Sequence, residues 1–162
     1  TDGVDANQKH EVRNLIREMA GRKVIVLSTH ILEEVEAVCT RAAVIAHGRL
    51  VADGTPEQLQ ARSRYHNAVE LTVSAHADGI LEALKGLPHV ADIEQHAAPD
   101  GRLECVIVPA DGKPIVTDVS EMLRSRNAQI ERLRVQRGRL DEVFRTITTQ
   151  SDEQQAPAEA RT

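Results

Sequence analysis

Apolar positions recur in this chain with two periods, and the switch between them predicts the elements. Over residues 7–20, Val12, Leu15, Ile16 and Met19 fall three and four residues apart among charged neighbours, and Gly21 follows as a stop. That spacing predicts an amphipathic helix. Residues 23–28 form a short, β-branched run, Lys23-Val24-Ile25-Val26-Leu27-Ser28, of the kind that makes a strand buried on both faces. Helical spacing returns at Ile31, Leu32, Val35 and Val38. Ser28 or Thr29 is available there as a cap, and Glu33, Glu34 and Glu36 enrich the early turns, where the helix dipole favours negative charge. A second buried strand is expected over residues 42–46. The order helix, strand, helix, strand predicts an α/β fold.

His47-Gly48-Arg49 reads as a tight turn into residues 50–54, completing a hairpin, and Thr55-Pro56-Glu57 opens a short helix with Thr as cap and Pro at its first position. The polar stretch 63–67 is the expected domain boundary. Beyond it the pattern predicts strand 68–74, helix 77–85, strands 90–94 and 103–108 on either side of a turn at Pro99-Asp100-Gly101, helix 115–126, strand 129–135 and helix 140–148. Strand-helix-strand-strand-helix-strand is the ferredoxin-like order. From Gln150 onward no apolar period remains, so that tail is expected to be disordered. The predicted organisation is therefore 1–64, 65–149 and a tail, 150–162.

Composition narrows the function classes. Tyr65 and Phe144 are the only aromatic residues among 162, so the core rests on Leu, Ile, Val and Ala, and base-stacking platforms are not expected. A net charge of -5 argues against a nucleic-acid partner, and the Arg-rich stretch from Arg124 to Arg139 reads as a solvated face. No apolar run approaches the roughly 20 residues of a membrane span. The first residues carry neither Met nor a signal-peptide pattern, and the start reads as internal to a longer protein. Cys39 and Cys105 lack a partner motif and are expected to be reduced thiols in a cytosolic protein. His10, His47, His66, His76, His89 and His96 show no paired ligand spacing, so no metal site is expected.

The stretch with most chemical content is Val24-Ile25-Val26-Leu27-Ser28-Thr29-His30, an apolar strand ending in a polar triplet before a helix. Ligands of open α/β sheets sit beyond the carboxyl ends of strands, and a His there can donate a hydrogen bond to a phosphate oxygen. In isolation such a His is more often a capping or packing residue. With the Glu-rich helix after it, strand 43–46 and the hairpin from His47 to Glu57, however, it resembles the end of an ABC transporter ATPase domain. At the amino end Thr1-Asp2-Gly3-Val4-Asp5-Ala6-Asn7 resembles that family's D-loop, with Val4 and Ala6 in place of the usual Leu and Pro. An Asp-rich N-cap is an equally compatible reading of those residues. Leu140-Asp141-Glu142-Val143-Phe144 is similar to the motif closing the carboxyl-terminal extension of drug-resistance and gliding-motility ATPases.

The resemblance implies the carboxyl-terminal part of a RecA-like ABC ATPase domain followed by a ferredoxin-like accessory domain. It implies His30 as the catalytic switch histidine that contacts the γ-phosphate, and Asp5 with Gly3 as D-loop residues reaching the partner's nucleotide site. ATP and Mg are implied as cofactors of the complete protein. The implied partners are the missing amino-terminal half of the ATPase, a membrane permease subunit and a second copy, at the inner face of the cell membrane. No G-x-x-x-x-G-K-[ST] run, signature segment or Walker B carboxylate occurs in the 162 residues, so this chain alone is expected not to turn over ATP. The alternatives are a non-enzymatic ferredoxin-like regulatory or dimerisation module, or a truncated product without activity. For Leu140, Val143, Phe144 and Ile147 the spacing of a buried helical stripe predicts core packing.

Overall fold

A computed structural model describes residues 6–74, 79–96 and 101–153. The chain divides into two compact units, Thr1–Pro56 and Glu57–Thr162. Both mix helices with antiparallel strands, an α/β composition. None of the described helices is long and apolar enough to cross a membrane.

The first unit contains helix α1 (Ala6–Ala20), helix α2 (Leu32–Val38), and strands β1 (Ala42–Ala46) and β2 (Arg49–Gly54). The strands pair antiparallel around His47 and Gly48, whose φ angles of 51° and 72° give the doubly left-handed turn that matches strand twist. Glycine at the second of these positions adopts that angle without a Cβ penalty. β1 is not the fully buried strand its apolar run predicted. Its residues alternate between half-buried and exposed, and the cross-strand pair Ile45 and Leu50 is 68% and 63% exposed. Among the described residues no third strand extends this two-stranded sheet.

Residues 24–28 depart further from expectation. They form no ladder among the described residues. Exposure alternates along them instead, at 95%, 38%, 91% and 42% for Val24, Ile25, Val26 and Leu27. Leu27 faces a groove shared with Val12 and Ile16 of α1 and Val38 of α2, while Val24 and Val26 face solvent. The run keeps the period of a strand but pairs with no strand among the described residues, and the face carrying Ile25 and Leu27 is only partly covered.

The second unit is closed. Short helix α3 (Pro56–Gln60) starts at the division between units, and then come β3 (Val69–Val73), α4 (Ile80–Lys85), β4 (Val90–His96), β5 (Leu103–Pro109), α5 (Val116–Ser125), β6 (Ile130–Val135) and α6 (Leu140–Glu153). The sheet runs β4-β5-β3-β6, and every neighbouring pair is antiparallel. Period-two alternation sends Val69, Leu71 and Val73 of β3, with Leu103, Cys105 and Ile107 of β5, to one face. There they meet Ile80 and Leu84 of α4 and Ile115, Val119 and Leu123 along α5. Burying each of these aliphatic side chains contributes roughly 1.5–3 kcal/mol, so this layer holds the unit together. On the opposite face Val106 and Val108 pack with Ala68 and Tyr65.

The polar stretch 63–67 is no free linker. The Asn67 N–H donates to Gln136 O at 3.0 Å, Asn67 Nδ2 donates to Gly112 O at 2.7 Å, and His66 Nδ1 lies 2.8 Å from Arg137 O. Gly138 explains how close this approach is. Its φ is 110°, and a Cβ there would lie 2.1 Å from Gln60 O. Only glycine lets the 136–139 turn seat against the end of α3.

α6 runs past Gln150 to Glu153, into the segment expected to lack order, and residues 154–162 of that tail lie outside the described residues. Along α6, Leu140 and Val143 are buried and Ile147 is half-buried, as their stripe predicted, but Phe144 is 43% exposed. At about 100° per residue Val143 and Phe144 flank the stripe on opposite sides, and of the two only Val143 is buried.

The buried Cys105 gives a pH test of the core. Its side chain is 2% exposed, and burial pushes the thiol up to about 11 from an ordinary value of 9.0. The folded state therefore holds a proton that the unfolded chain has released, so this contribution is complete below about pH 9 and is lost as pH rises towards 11. We expect stability to fall by up to about 3 kcal/mol over that window. Urea unfolding at pH 8, 9, 10 and 11 measures the decline, and Cys105→Val should flatten it; an equal decline in both proteins would contradict the assignment.

Candidate functional site

The junction between the extended segment and α2 is where the sequence pointed. Thr29 is half-buried, and its hydroxyl accepts from the Ile31 N–H at 3.0 Å while donating to Glu34 Oε2 at 3.1 Å. Thr29 was a predicted cap, but α2 begins after Ile31, which makes no side-chain cap. The hydroxyl thus satisfies a donor just outside the helix rather than one inside it. His30 lies between the bonded residues 29 and 31, and it is exposed. The far end of α2 is tied to α1 by Arg17 Nη2, which donates to Ala37 O at 2.8 Å.

Cys39 closes α2, and its N–H donates to Val35 O at 3.0 Å. Burial, and then the charge of Glu34, raise its thiol above the ordinary range. Beyond it Arg41 grips Asp53 across the hairpin with both nitrogens, Nε to Oδ1 at 2.9 Å and Nη2 to Oδ2 at 2.5 Å. The hydrogen bond from Arg41 holds the Asp53 carboxyl below its usual range. Both groups face water, so this pair fixes the hairpin's geometry more than it stabilises it.

His30 is therefore the one predicted site residue placed on view. Gly3 and Asp5 lie outside the described residues. Among the described residues no group of three or more His, Cys, Asp or Glu side chains is assembled that could hold a metal ion.

The second unit carries a polar constellation that the sequence reading missed. Tyr65 Oη donates to Glu94 Oε1 at 2.8 Å, and Arg64 pairs with the same carboxylate. The Arg139 guanidinium stacks on the Tyr65 ring at 3.8 Å, and that of Arg64 lies 4.9 Å from it. Arg139 Nε then donates to Gln136 Oε1 at 3.1 Å, and Gln136 Nε2 donates to Glu70 Oε1 at 2.7 Å. The network joins the 63–67 stretch to strands β3 and β4 and to the 136–139 turn. The one available signal was a lone tyrosine in a polar stretch read as the domain boundary.

Comparison with known proteins agrees with the resemblance. The linearmycin resistance ATP-binding protein LnrL of Bacillus subtilis is 28% identical over 149 residues, 91% of this chain and 47% of the relative. The daunorubicin resistance ATP-binding protein DrrA2 of Streptomyces coeruleorubidus is 30% identical over 162 residues, 99% of this chain and 49% of the relative. The mouse ATP-binding cassette sub-family A member 9 is 29% identical over 147 residues, 89% of this chain and 9% of that much longer protein. No protein-family profile matches the sequence. These relatives align along nearly the whole chain, across both units, so the chain is similar to ABC transporter ATP-binding proteins over that length. It spans about half the length of the bacterial relatives.

The Tyr65 network divides into a hydrogen bond and a packed ring, and two substitutions separate them. Tyr65→Phe keeps the ring against Ala68, Val106 and Val108 and loses the hydroxyl's bond to Glu94, which should cost about 1 kcal/mol. Tyr65→Ala loses the ring as well and should cost about 3 kcal/mol. Equal urea midpoints for the two variants would show that the ring contributes nothing.

Proposed function

We propose that this chain is the carboxyl-terminal part of the ATP-binding subunit of an ABC transporter, which in its complete form couples ATP hydrolysis to transport through a membrane permease. The observation that carries the reading is His30, presented to solvent beside α2 in a chain whose relatives are ATP-binding proteins. In this reading residues up to about 64 complete the nucleotide-binding domain, and residues 65–149 form a ferredoxin-like accessory domain. The antiparallel order β4-β5-β3-β6 with two helices on one face supports the second assignment.

The chemistry assigned to this chain is positioning. The His30 imidazole donates a hydrogen bond to a γ-phosphate oxygen and orients the attacking water, stabilising charge where phosphoryl transfer develops it. Asp5 and Gly3 act across a dimer of the complete protein on the partner's nucleotide site. Magnesium, when bound with ATP, neutralises phosphate charge, but it is an oxygen-seeking cation and the described residues assemble no carboxylate cluster for it. In this reading the phosphate loop and metal ligands of the complete protein lie outside these 162 residues, which span about half the relatives' length. Linearmycin and daunorubicin resistance, in the relatives' names, make export of a small toxic compound the favoured cargo class.

The 162-residue chain by itself is expected to show no magnesium-dependent ATP turnover. The coding sequence upstream of Thr1 is expected to carry, in frame, a G-x-x-x-x-G-K-[ST] run and a signature segment. The polypeptide translated from both should hydrolyse ATP, with kcat reduced about 100-fold or more by His30→Ala. Wild-type turnover by the His30→Ala protein would overturn the role given to this residue.

A further inference from the structure

We infer that Thr29 and Glu34 are positioning residues that form a clamp around the backbone of His30. The functional side of this inference rests on the role proposed for His30; its structural side does not. The Thr29 hydroxyl has one proton to give and lone pairs to receive, and both capacities are used, the first towards Glu34 and the second towards the Ile31 N–H. The bond to Ile31 closes a small ring that spans His30, a side-chain mimic of a backbone turn. Glu34 is bound to the same segment twice, because its own N–H donates to Ile31 O at 3.1 Å while its carboxylate receives Thr29. Residues 29, 31 and 34 are half-buried, whereas His30 between them is exposed.

The consequence is a division of labour within six residues. Thr29, Ile31 and Glu34 spend their polar groups on one another, and the His30 ring makes no hydrogen bond among the described residues. Glu34 in turn rides on α2, whose other end is held by Arg17 through Ala37 O. The backbone at His30 is therefore fixed before any ligand arrives, and only the side-chain torsions remain to be set. Preorganisation of this kind acts on the rate of a positioned step more than on ligand affinity.

The purified chain supports the first test, by amide hydrogen exchange and 15N relaxation. Thr29→Ala should speed exchange of the Ile31 amide about tenfold and lower the His30 order parameter. Glu34→Ala should do so more weakly, and the conservative Thr29→Ser should restore wild-type values. Exchange in α1 and in the β1–β2 hairpin, which belong to the same unit as Thr29, serves as the control for folding. Unchanged Ile31 exchange in a folded Thr29→Ala protein would overturn the clamp.

The second test uses the ATP-hydrolysing polypeptide. Thr29→Ala should lower kcat about tenfold with KM for ATP changed less than about threefold, and Thr29→Ser should rescue it. A loss confined to KM would overturn the positioning role. Full activity in His30→Ala would remove the catalytic reading while leaving the exchange result standing, so the two failures are distinguishable.

Discussion

A strand's backbone carries an N–H and a C=O at every residue, and apolar side chains do nothing to satisfy them. Residues 24–27 make this constraint visible. They have the β-branched composition of an interior strand and the alternating exposure of one, yet no ladder partner is present among the described residues. Much of the first unit follows from that. α1 and α2 partly shield the side of the segment that carries Leu27, and the other side, with Val24 and Val26, stays open. The hairpin likewise leaves Ile45 and Leu50 uncovered. An extended apolar edge of this kind pairs readily with another strand, so the unit has the form of a surface awaiting one.

The second unit meets the same constraint differently. β3 and β5 are interior strands with neighbours on both sides, and the layer of α4 and α5 covers one face. The other face is closed at one end by Tyr65, which the Arg64, Glu94 and Arg139 contacts hold flat on Val106 and Val108. Gly138 lets α3 reach into the same corner. The edge strands are β4, with Asp92 and Glu94, and β6, with Arg132 and Arg134. Like charges would face each other if either edge met its own copy, which disfavours symmetric edge-to-edge pairing.

Most elements of the second unit were legible because their apolar periods are clean. Helix 115–126 was expected and α5 spans Val116–Ser125; strand 129–135 was expected and β6 spans Ile130–Val135. The His47-Gly48 turn was legible for a local reason, since both residues tolerate positive φ. What pattern could not give was company. Residues 23–28 read as a strand buried on both faces, and periodicity holds no information about whether neighbours exist. Phe144 read as core because period alone does not say which margin of a stripe is covered: Val143 on one side is buried and Phe144 on the other is not. Tyr65 went unread because its partners, Glu94 and Arg139, are remote in sequence. At the site, His30 was found by its context, and the Thr29–Glu34 bond was hidden behind two separate propensity arguments, one for a cap and one for the dipole.

The central claim is that the first unit carries an apolar extended segment with no ladder partner among the described residues, while the second has a four-stranded sheet packed on two helices. Native-state amide hydrogen exchange of the 162-residue chain tests it most directly. The account predicts near-unprotected amides at Val24, Ile25 and Val26, with amides of Leu71, Cys105 and Ile107 exchanging only through global unfolding of their unit. Protection of residues 24–26 equal to that of the β3 and β5 amides, in a protein shown to be monomeric, would contradict it.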